Sequence, residues 1–202
     1  MKKLTTNPYR TTLLPYAIFW PNAFSISEVN SIVDMHDSLV IPATVGLGGT
    51  EIDHSFRKSQ TTFCYPNNTN QWIFDKLFHL FERTNNEYFD FDLLGFESFQ
   101  YTKYEPGEYY NYHMDTFMGD CGLNKDAILN RKLSMSILLN DPSEFDGGDF
   151  QITIGNPETP HSYTLEKGHA IFFPSFLLHR VTPITRGIRK SLVVWALGPK
   201  FK

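Results

Sequence analysis

The stretch SFQYTKYEPGEYYNYHMD, residues 98–115, contains two aromatic-rich runs separated by a Pro-Gly turn signal. Aromatic residues favour strands, and Glu105-Pro-Gly favours a tight turn, so we predict strands at Ser98–Tyr104 and Tyr109–Asp115. This strand–turn–strand unit indicates that the chain becomes β-rich from about residue 97.

The same pattern of short apolar runs and turn signals continues to the C-terminal end. Eight short strands over about 100 residues are typical of a sandwich or barrel, most naturally a jelly roll. The six further predicted strands are Leu133–Asn140, Gly148–Ile154, Ser162–Leu165, His169–Phe173, His179–Thr182 and Ser191–Leu197.

The first 90 or so residues instead show helical spacing. Ser25 and Glu28 have the spacing of a capping box, ahead of an apolar series that ends at Leu39. A second helix is predicted from Asn70 to Tyr88, with Gly46–Lys58 as a mobile loop between the two helices. We therefore predict an α+β fold, a double-stranded β-helix (jelly roll) with N-terminal helices packed on one sheet. It would form one domain over 1–202, with 1–96 as helical cover and first strands and 97–198 as the β-helix core.

Charge and composition exclude several classes of protein. A formal net charge of -4 gives no electrostatic case for a nucleic-acid partner. No apolar run is long enough for a membrane span or a secretory leader, because Pro15 interrupts the run from Leu13 to Trp20. Cys64 and Cys121 are too few for a disulfide framework and predict free thiols. The expectation is a cytoplasmic protein without a membrane partner.

His113 and Asp115 are two residues apart at the end of a predicted strand, so both side chains should point to the same face. His179 begins a later strand and is the best third ligand. Two histidines and one carboxylate are the ligands of non-haem Fe(II) oxygenases. Zinc accepts the same ligand types, so a zinc hydrolase remains an alternative, although no general base stands out for it.

Arg189 and Ser191 follow His179 by ten and twelve residues and share one strand face with Trp195. An arginine that points into a barrel needs an anion, and a dicarboxylate could pair with its guanidinium through two parallel hydrogen bonds. The alternative is a surface arginine in a basic turn, since Arg186 and Lys190 are close by.

Four segments together resemble the prolyl 4-hydroxylase-like 2-oxoglutarate oxygenases, most closely their PKHD-type and prolyl-hydroxylase branch. The first is HRVTPITRGIRKSLVVW, residues 179–195, which is similar to the C-terminal signature of these enzymes. The others, upstream and in the same order as in the family, are YEPGEYYNYHMD (104–115), DGGDF (146–150) and GHAIFFPS (168–175). The resemblance covers residues 97 to 198.

The resemblance implies a 2-oxoglutarate-dependent dioxygenase that couples substrate hydroxylation to decarboxylation of 2-oxoglutarate to succinate and CO2. Its cofactors would be Fe(II), 2-oxoglutarate and O2, with ascorbate as a candidate reductant, and no catalytic side chain would be needed beyond the metal centre. The implied roles are iron on His113, Asp115 and His179; the distal carboxylate of 2-oxoglutarate on Arg189 and Ser191; a further hydrogen bond from Tyr104; and substrate contacts from Trp195 and, from the predicted loop, Arg57.

The substrate implied first is a peptidyl proline on a protein or peptide, with a free amino acid or another small metabolite as the alternative. The segment Thr116–Asn130 is predicted to be a lid over the iron. A nucleic-acid demethylase is disfavoured because Trp195 stands where that family has an arginine, six residues after Arg189. The non-enzyme alternative is a jelly-roll binding module that has lost its metal, and the oligomeric state stays open.

Overall fold

The computed structural model describes residues 14–45, 52–116 and 129–199. The helices are α1 (Ile26–His36) and α2 (Gln71–Thr84), with 3-10 turns at Asp37–Leu39 and Pro142–Glu144 and a π-helical turn at Asn85–Phe89. The strands in the described ranges are β1 (Ile18–Trp20), β2 (Ile41–Pro42), β3 (Arg57–Lys58), β4 (Gln60–Cys64), β5 (Gly95–Phe96), β6 (Phe99–Tyr104), β7 (Tyr109–His113), β8 (Leu129–Leu138), β9 (Phe145–Gly147), β10 (Phe150–Thr153), β11 (His161–Tyr163), β12 (Ala170–Pro174), β13 (Leu178–Val181), β14 (Ile184–Gly187) and β15 (Arg189–Pro199).

The strands form two main antiparallel sheets. The large sheet has the order β1-β12-β8-β15-β6-β4-β2, with β5 paired to β15, and the small sheet has the order β11-β10-β13-β7-β3. Strands β9 and β14 form a separate two-stranded ladder. Neighbouring strands often lie far apart in the sequence, as in a double-stranded β-helix, and the predicted fold class is confirmed.

Helix α1 begins as its sequence predicts. The Oγ of Ser25 accepts a hydrogen bond from the backbone N–H of Glu28 at 3.3 Å, and the Glu28 carboxylate accepts one from the N–H of Ser25 at 2.7 Å. This reciprocal capping box satisfies two N–H groups that the helix itself cannot pair. Leu39 does not share the buried face as predicted, because α1 ends at His36 and Leu39 lies in a 3-10 turn with 57% of its surface exposed.

Helix α2 covers the large sheet through aromatic contacts. Phe74 packs against Phe99 of β6, and Phe81 meets Phe172 of β12 edge to face, with ring centroids 5.1 Å apart in both pairs. These rings bury the outer face of the large sheet, so the inner face is left to line a second core between the sheets. The prediction that the N-terminal helices pack on one sheet is confirmed.

The second core lies between the two sheets and is mostly apolar. Its buried members come from the large sheet, the small sheet and their connections: Tyr104, Leu138, Phe150, Ile152, Leu165, Ile171, Phe173, Val181 and Ile184. Polar side chains that reach this inter-sheet space are shielded from bulk water. Their hydrogen bonds and charge interactions are stronger there, because the local dielectric constant is low.

The predicted loop Gly46–Lys58 was partly wrong, and several short strands were not predicted. Arg57 and Lys58 belong to strand β3, which pairs with Tyr110 and Tyr109 of β7, whereas residues 46–51 of that predicted loop lie outside the described residues. Ile184–Gly187 forms β14, one of the short strands that were not predicted. Two- to four-residue strands at sheet margins carry too little alternation to be distinguished from loops.

In the part of the chain that the structure describes, no helix has the length and hydrophobicity needed to cross a bilayer. Cys64 is buried and free, and burial raises the pKa of its thiol to about 12, so it stays protonated and unreactive. Cys121 lies outside the described residues.

Candidate metal and cosubstrate site

Three potential ligands converge on the inner face of the small sheet. His113 ends β7 and is paired in register with His179 of β13, while Asp115 follows two residues after His113. The Nε2 of His179 lies 3.5 Å from Asp115 Oδ2, and the Nε2 of His113 lies 3.8 Å from Asp115 Oδ1. Among the described residues this is the one cluster of three such donors, all within 4.8 Å of one another. The structure thus brings the predicted triad together.

Both imidazoles are oriented by main-chain carbonyls. The Nδ1 of His113 donates to the carbonyl oxygen of Asn111 at 2.8 Å, and the Nδ1 of His179 donates to that of Leu177 at 2.9 Å. A carbonyl only accepts hydrogen bonds, so each Nδ1 carries the proton and each Nε2 keeps its lone pair for a metal.

The charge states suit a divalent cation. Burial and the neighbouring His179 lower the pKa of His113 to about 3, so its ring is neutral. Burial acts to raise the pKa of Asp115, but the two imidazoles and a hydrogen bond from Ser134 outweigh it, and the pKa lies below its usual value. Two imidazoles and one carboxylate on one side of an ion match the facial donor set of non-haem Fe(II).

A buried serine pair supports Asp115. The hydroxyl of Ser134 on β8 donates to Asp115 Oδ2 at 2.6 Å and accepts from the hydroxyl of Ser175 at 2.8 Å. The backbone N–H of Asp115 also donates to the carbonyl of Ser175 at 2.9 Å. Sequence reasoning missed both serines; the available signal for Ser134 was a polar residue in a buried strand, whereas Ser175 lies in the turn after β12.

We expect Ser134→Ala to weaken Fe(II) binding by about 10–100-fold, because it removes a hydrogen bond that orients a ligand and leaves Ser175 without its acceptor. Anaerobic Fe(II) titration of both proteins measures the change. Ser136→Ala is the matched control, since Ser136 is also buried on β8 but makes no hydrogen bond to Asp115. Equal affinities for wild type and Ser134→Ala would mean that the serine pair does not position the ligand.

A pocket opens beside the triad, between the two sheets. The small sheet supplies the histidines, and the large sheet supplies the residues predicted to hold the cosubstrate. The pocket lining includes every residue predicted for the site: Arg57, Tyr104, His113, Asp115, His179, Arg189, Ser191 and Trp195.

Arg189 is a buried cation without an anion. It is 3% exposed, and within the described residues its guanidinium has no hydrogen bond and no ion pair. The ring of Tyr104, its cross-strand partner, lies 5.8 Å away. Burial lowers the pKa of Arg189, and the charges of Tyr104 and Asp149 offset this desolvation only in part. The arginine is therefore suited to receive a carboxylate, with the buried Ser191 two residues along the same strand face as a further donor.

Tyr104 and Trp195 occupy the wall of the same pocket. Burial raises the pKa of the Tyr104 hydroxyl, so it remains a neutral donor. The Nε1 of Trp195 is the one fully buried side-chain nitrogen or oxygen among the described residues that lacks a hydrogen-bond partner. The indole is held by the guanidinium of Arg131, 3.8 Å from the ring, which in turn pairs with Glu97. Trp195 thus contributes a fixed ring to the pocket wall.

Arg57 lies in the pocket wall and is 7% exposed, so its predicted place in a mobile loop is corrected. Its Nε donates to the hydroxyl of Ser59 at 2.9 Å, and its Cζ lies 4.4 Å from the ring centre of Tyr110. That ring stacks on His113 with centroids 3.5 Å apart. One aromatic ring thus separates Arg57 from a metal ligand. Of the predicted lid Thr116–Asn130, residues 117–128 lie outside the described residues.

Residues 99–197 match the family model of the 2OG-Fe(II) oxygenase superfamily. The chain belongs to this superfamily. A PKHD-type hydroxylase of Klebsiella pneumoniae is 33% identical over 95 residues, which cover 47% of this chain and 41% of the relative. The chain therefore spans less than half the length of that curated relative.

Two solved prolyl hydroxylases share the fold across most of the chain. The viral collagen prolyl hydroxylase from Paramecium bursaria Chlorella virus-1, a 2OG complex, has a TM-score of 0.69 at 22% identity, covering 91% of this chain and 97% of that one. The Trichoplax adhaerens prolyl hydroxylase in complex with a hypoxia inducible factor peptide fragment has a TM-score of 0.69 at 15% identity, covering 90% and 83%. At these identities the likeness concerns the fold, and the superfamily's cofactors, Fe(II) and 2-oxoglutarate, are matched by the triad and by Arg189.

Proposed function

We propose that this protein is an Fe(II)- and 2-oxoglutarate-dependent hydroxylase. The observation that carries the proposal is the unpaired, buried guanidinium of Arg189 in the same pocket as the His113, Asp115 and His179 triad. The triad alone would also suit zinc. A desolvated cation beside it adds a requirement for an anionic cosubstrate, which a zinc hydrolase does not have.

Separate groups of described residues would bind the metal, bind the cosubstrate and exclude water. His113, Asp115 and His179 would hold the iron, and Arg189 with Ser191 and Tyr104 would bind and orient the distal carboxylate of 2-oxoglutarate. Bound together, iron and 2-oxoglutarate supply the oxidation of an unactivated C–H bond by O2, with release of succinate and CO2. The apolar side chains of Phe150, Phe173 and Val181 line the pocket and keep water from the reacting groups.

For the substrate, we propose a peptidyl proline, hydroxylated in the manner of a prolyl 4-hydroxylase. Support comes from the fold shared with prolyl hydroxylases, one of them in complex with a peptide fragment. Trp195 and Arg57 in the pocket wall are the proposed contacts. A free amino acid is the second candidate, and the buried charge of Arg57 is the observation that favours it.

The test is an anaerobic incubation of the protein with Fe(II) and 2-oxoglutarate, followed by addition of O2. We expect succinate to form slowly without a substrate and faster with one. Proline-containing peptides and free amino acids are then screened by mass spectrometry for addition of one oxygen atom. Absence of succinate under all conditions would contradict the proposed activity. Oxygen addition to free proline, with none to any peptide, would replace the first substrate candidate by the second.

A further inference from the structure

Arg57 is a second buried cation in the pocket, and the proposed roles of iron and 2-oxoglutarate leave it without a partner. Its Nε is used by Ser59, and one face of the guanidinium is covered by Tyr110. Within the described residues the guanidinium makes no other hydrogen bond and no ion pair. The terminal nitrogens therefore remain available on a side chain that is 7% exposed and lines the pocket.

A count of charges in the pocket shows what is missing. The two charges of Fe(II) would be balanced by Asp115 and by the metal-bound carboxylate of 2-oxoglutarate. Arg189 would be balanced by the distal carboxylate. Asp115 is the only acidic residue among the described residues that line this pocket, so the charge of Arg57 is left over. An uncompensated charge in a desolvated site is costly, and an incoming anion relieves that cost.

Two acidic residues lie near the pocket and do not neutralise Arg57. The carboxylate of the buried Glu108 accepts a hydrogen bond from the backbone N–H of Glu105 at 2.9 Å, and it makes no ion pair with any arginine among the described residues. Asp149 is exposed and lies on the Arg189 side of the pocket, where its charge acts to raise the pKa of that arginine. The missing anion is thus not supplied by a described side chain.

We propose that the substrate carries a carboxylate that binds the terminal nitrogens of Arg57, with the target carbon directed toward the triad. This inference rests on the proposed function and narrows its substrate class. The edge of a guanidinium matches a carboxylate through two parallel hydrogen bonds. The carboxylate could be the α-carboxylate of a free amino acid or chain-terminal residue, or an acidic side chain beside the target residue in a peptide.

The test measures binding by calorimetry under anaerobic conditions, on protein loaded with Fe(II) and 2-oxoglutarate, so no turnover occurs. The probes are matched pairs: common free amino acids, proline included, against their amides, and capped proline peptides with an aspartate against the same peptides with asparagine. We expect the wild type to bind at least one acid about tenfold or more tightly than its amide, because a charge-assisted bidentate contact is lost in the amide. The pair that shows the difference identifies the source of the carboxylate.

Arg57→Gln should remove this preference, and Arg57→Lys should keep part of it, because lysine retains the charge but not the fork geometry. Lys58→Gln is the matched control: it removes the same charge from the next residue of β3, which is exposed, and the preference should persist. Arg57→Gln should also leave 2-oxoglutarate affinity within about threefold of wild type, since the carboxylates of 2-oxoglutarate are assigned to Arg189 and the iron.

Four results overturn the inference. Every acid and its amide could bind equally well, or no probe could bind while 2-oxoglutarate still binds. Either result refutes the requirement for a substrate carboxylate and leaves the proposed function intact. A large loss of 2-oxoglutarate affinity in Arg57→Gln would make Arg57 a cosubstrate residue instead. Failure of wild-type protein to bind 2-oxoglutarate in the presence of Fe(II) refutes the proposed function and this inference with it.

Discussion

Replacing His179 by alanine is expected to abolish formation of succinate from 2-oxoglutarate. His179 is 4% exposed, and its Nδ1 is already committed to the Leu177 carbonyl, so its Nε2 serves only the triad. The variant keeps two of the three ligands. Loss of a supporting hydrogen bond typically costs about 10–100-fold in metal affinity, and loss of a ligand itself should cost at least about a hundredfold. Without bound iron, 2-oxoglutarate has no centre on which to react.

Anaerobic Fe(II) titration and a succinate assay at saturating 2-oxoglutarate measure the two effects separately. His161→Ala is the matched control, because His161 lies two strands away in the small sheet, level with His179 through Ile152, but is exposed and outside the metal cluster. It should retain wild-type metal affinity and turnover. Full turnover in His179→Ala would remove this histidine from the site.

Residues with a strong local signal could be assigned from the sequence. His113 and Asp115 are two residues apart, and the alternation of a strand places both on one face, so no knowledge of the sheet order was needed. Arg189 and Ser191 follow the same rule on β15. The capping box of α1 is equally local, because both of its hydrogen bonds join Ser25 and Glu28. Such features depend on spacing alone.

Features that depend on which strands become neighbours could not be assigned. Ser134 and Ser175 support Asp115 only because β12 pairs with β8, and their sequence distance of 41 residues gives no hint of this contact. Arg57 enters the pocket because two residues of β3 pair with β7. A strand so short is stabilised by its partner rather than by its own pattern, so its residues resemble a loop in sequence.

The two arginines explain why the pocket needs both sheets. Arg189 comes from the large sheet and Arg57 from the small sheet. The charges of both arginines act to lower the pKa of the Tyr104 hydroxyl, against the larger effect of burial. Neither arginine has an anionic partner among the described residues, and separate anions bound at the two positions would relieve separate desolvation costs. Variants of the two arginines therefore distinguish the two sites. Replacement of Arg189 should weaken binding of 2-oxoglutarate, and replacement of Arg57 should weaken binding of the substrate.

Arg189→Gln is expected to raise the KM for 2-oxoglutarate by about 30-fold or more, while kcat at saturation changes much less. Truncation of one partner in a buried charged pair costs about 2–5 kcal/mol, and each 1.4 kcal/mol corresponds to about tenfold in affinity. The distal carboxylate is remote from the reacting atoms, so its contact contributes mainly to binding. Arg189→Lys should fall between wild type and Arg189→Gln, because lysine cannot form two parallel hydrogen bonds.

If Arg189 only stabilised the fold, its replacement would lower the melting temperature of the protein without 2-oxoglutarate. Because the guanidinium is buried without a partner, its removal should not lower, and could raise, the melting temperature of the protein without 2-oxoglutarate. Stabilisation by added 2-oxoglutarate, in contrast, should be lost in the variant. Arg186→Gln is the matched control, since Arg186 is exposed and pairs with Asp146, and its KM should stay at the wild-type value. An unchanged KM in Arg189→Gln would place the anion site elsewhere, and the unpaired cation between the sheets would then need another ligand.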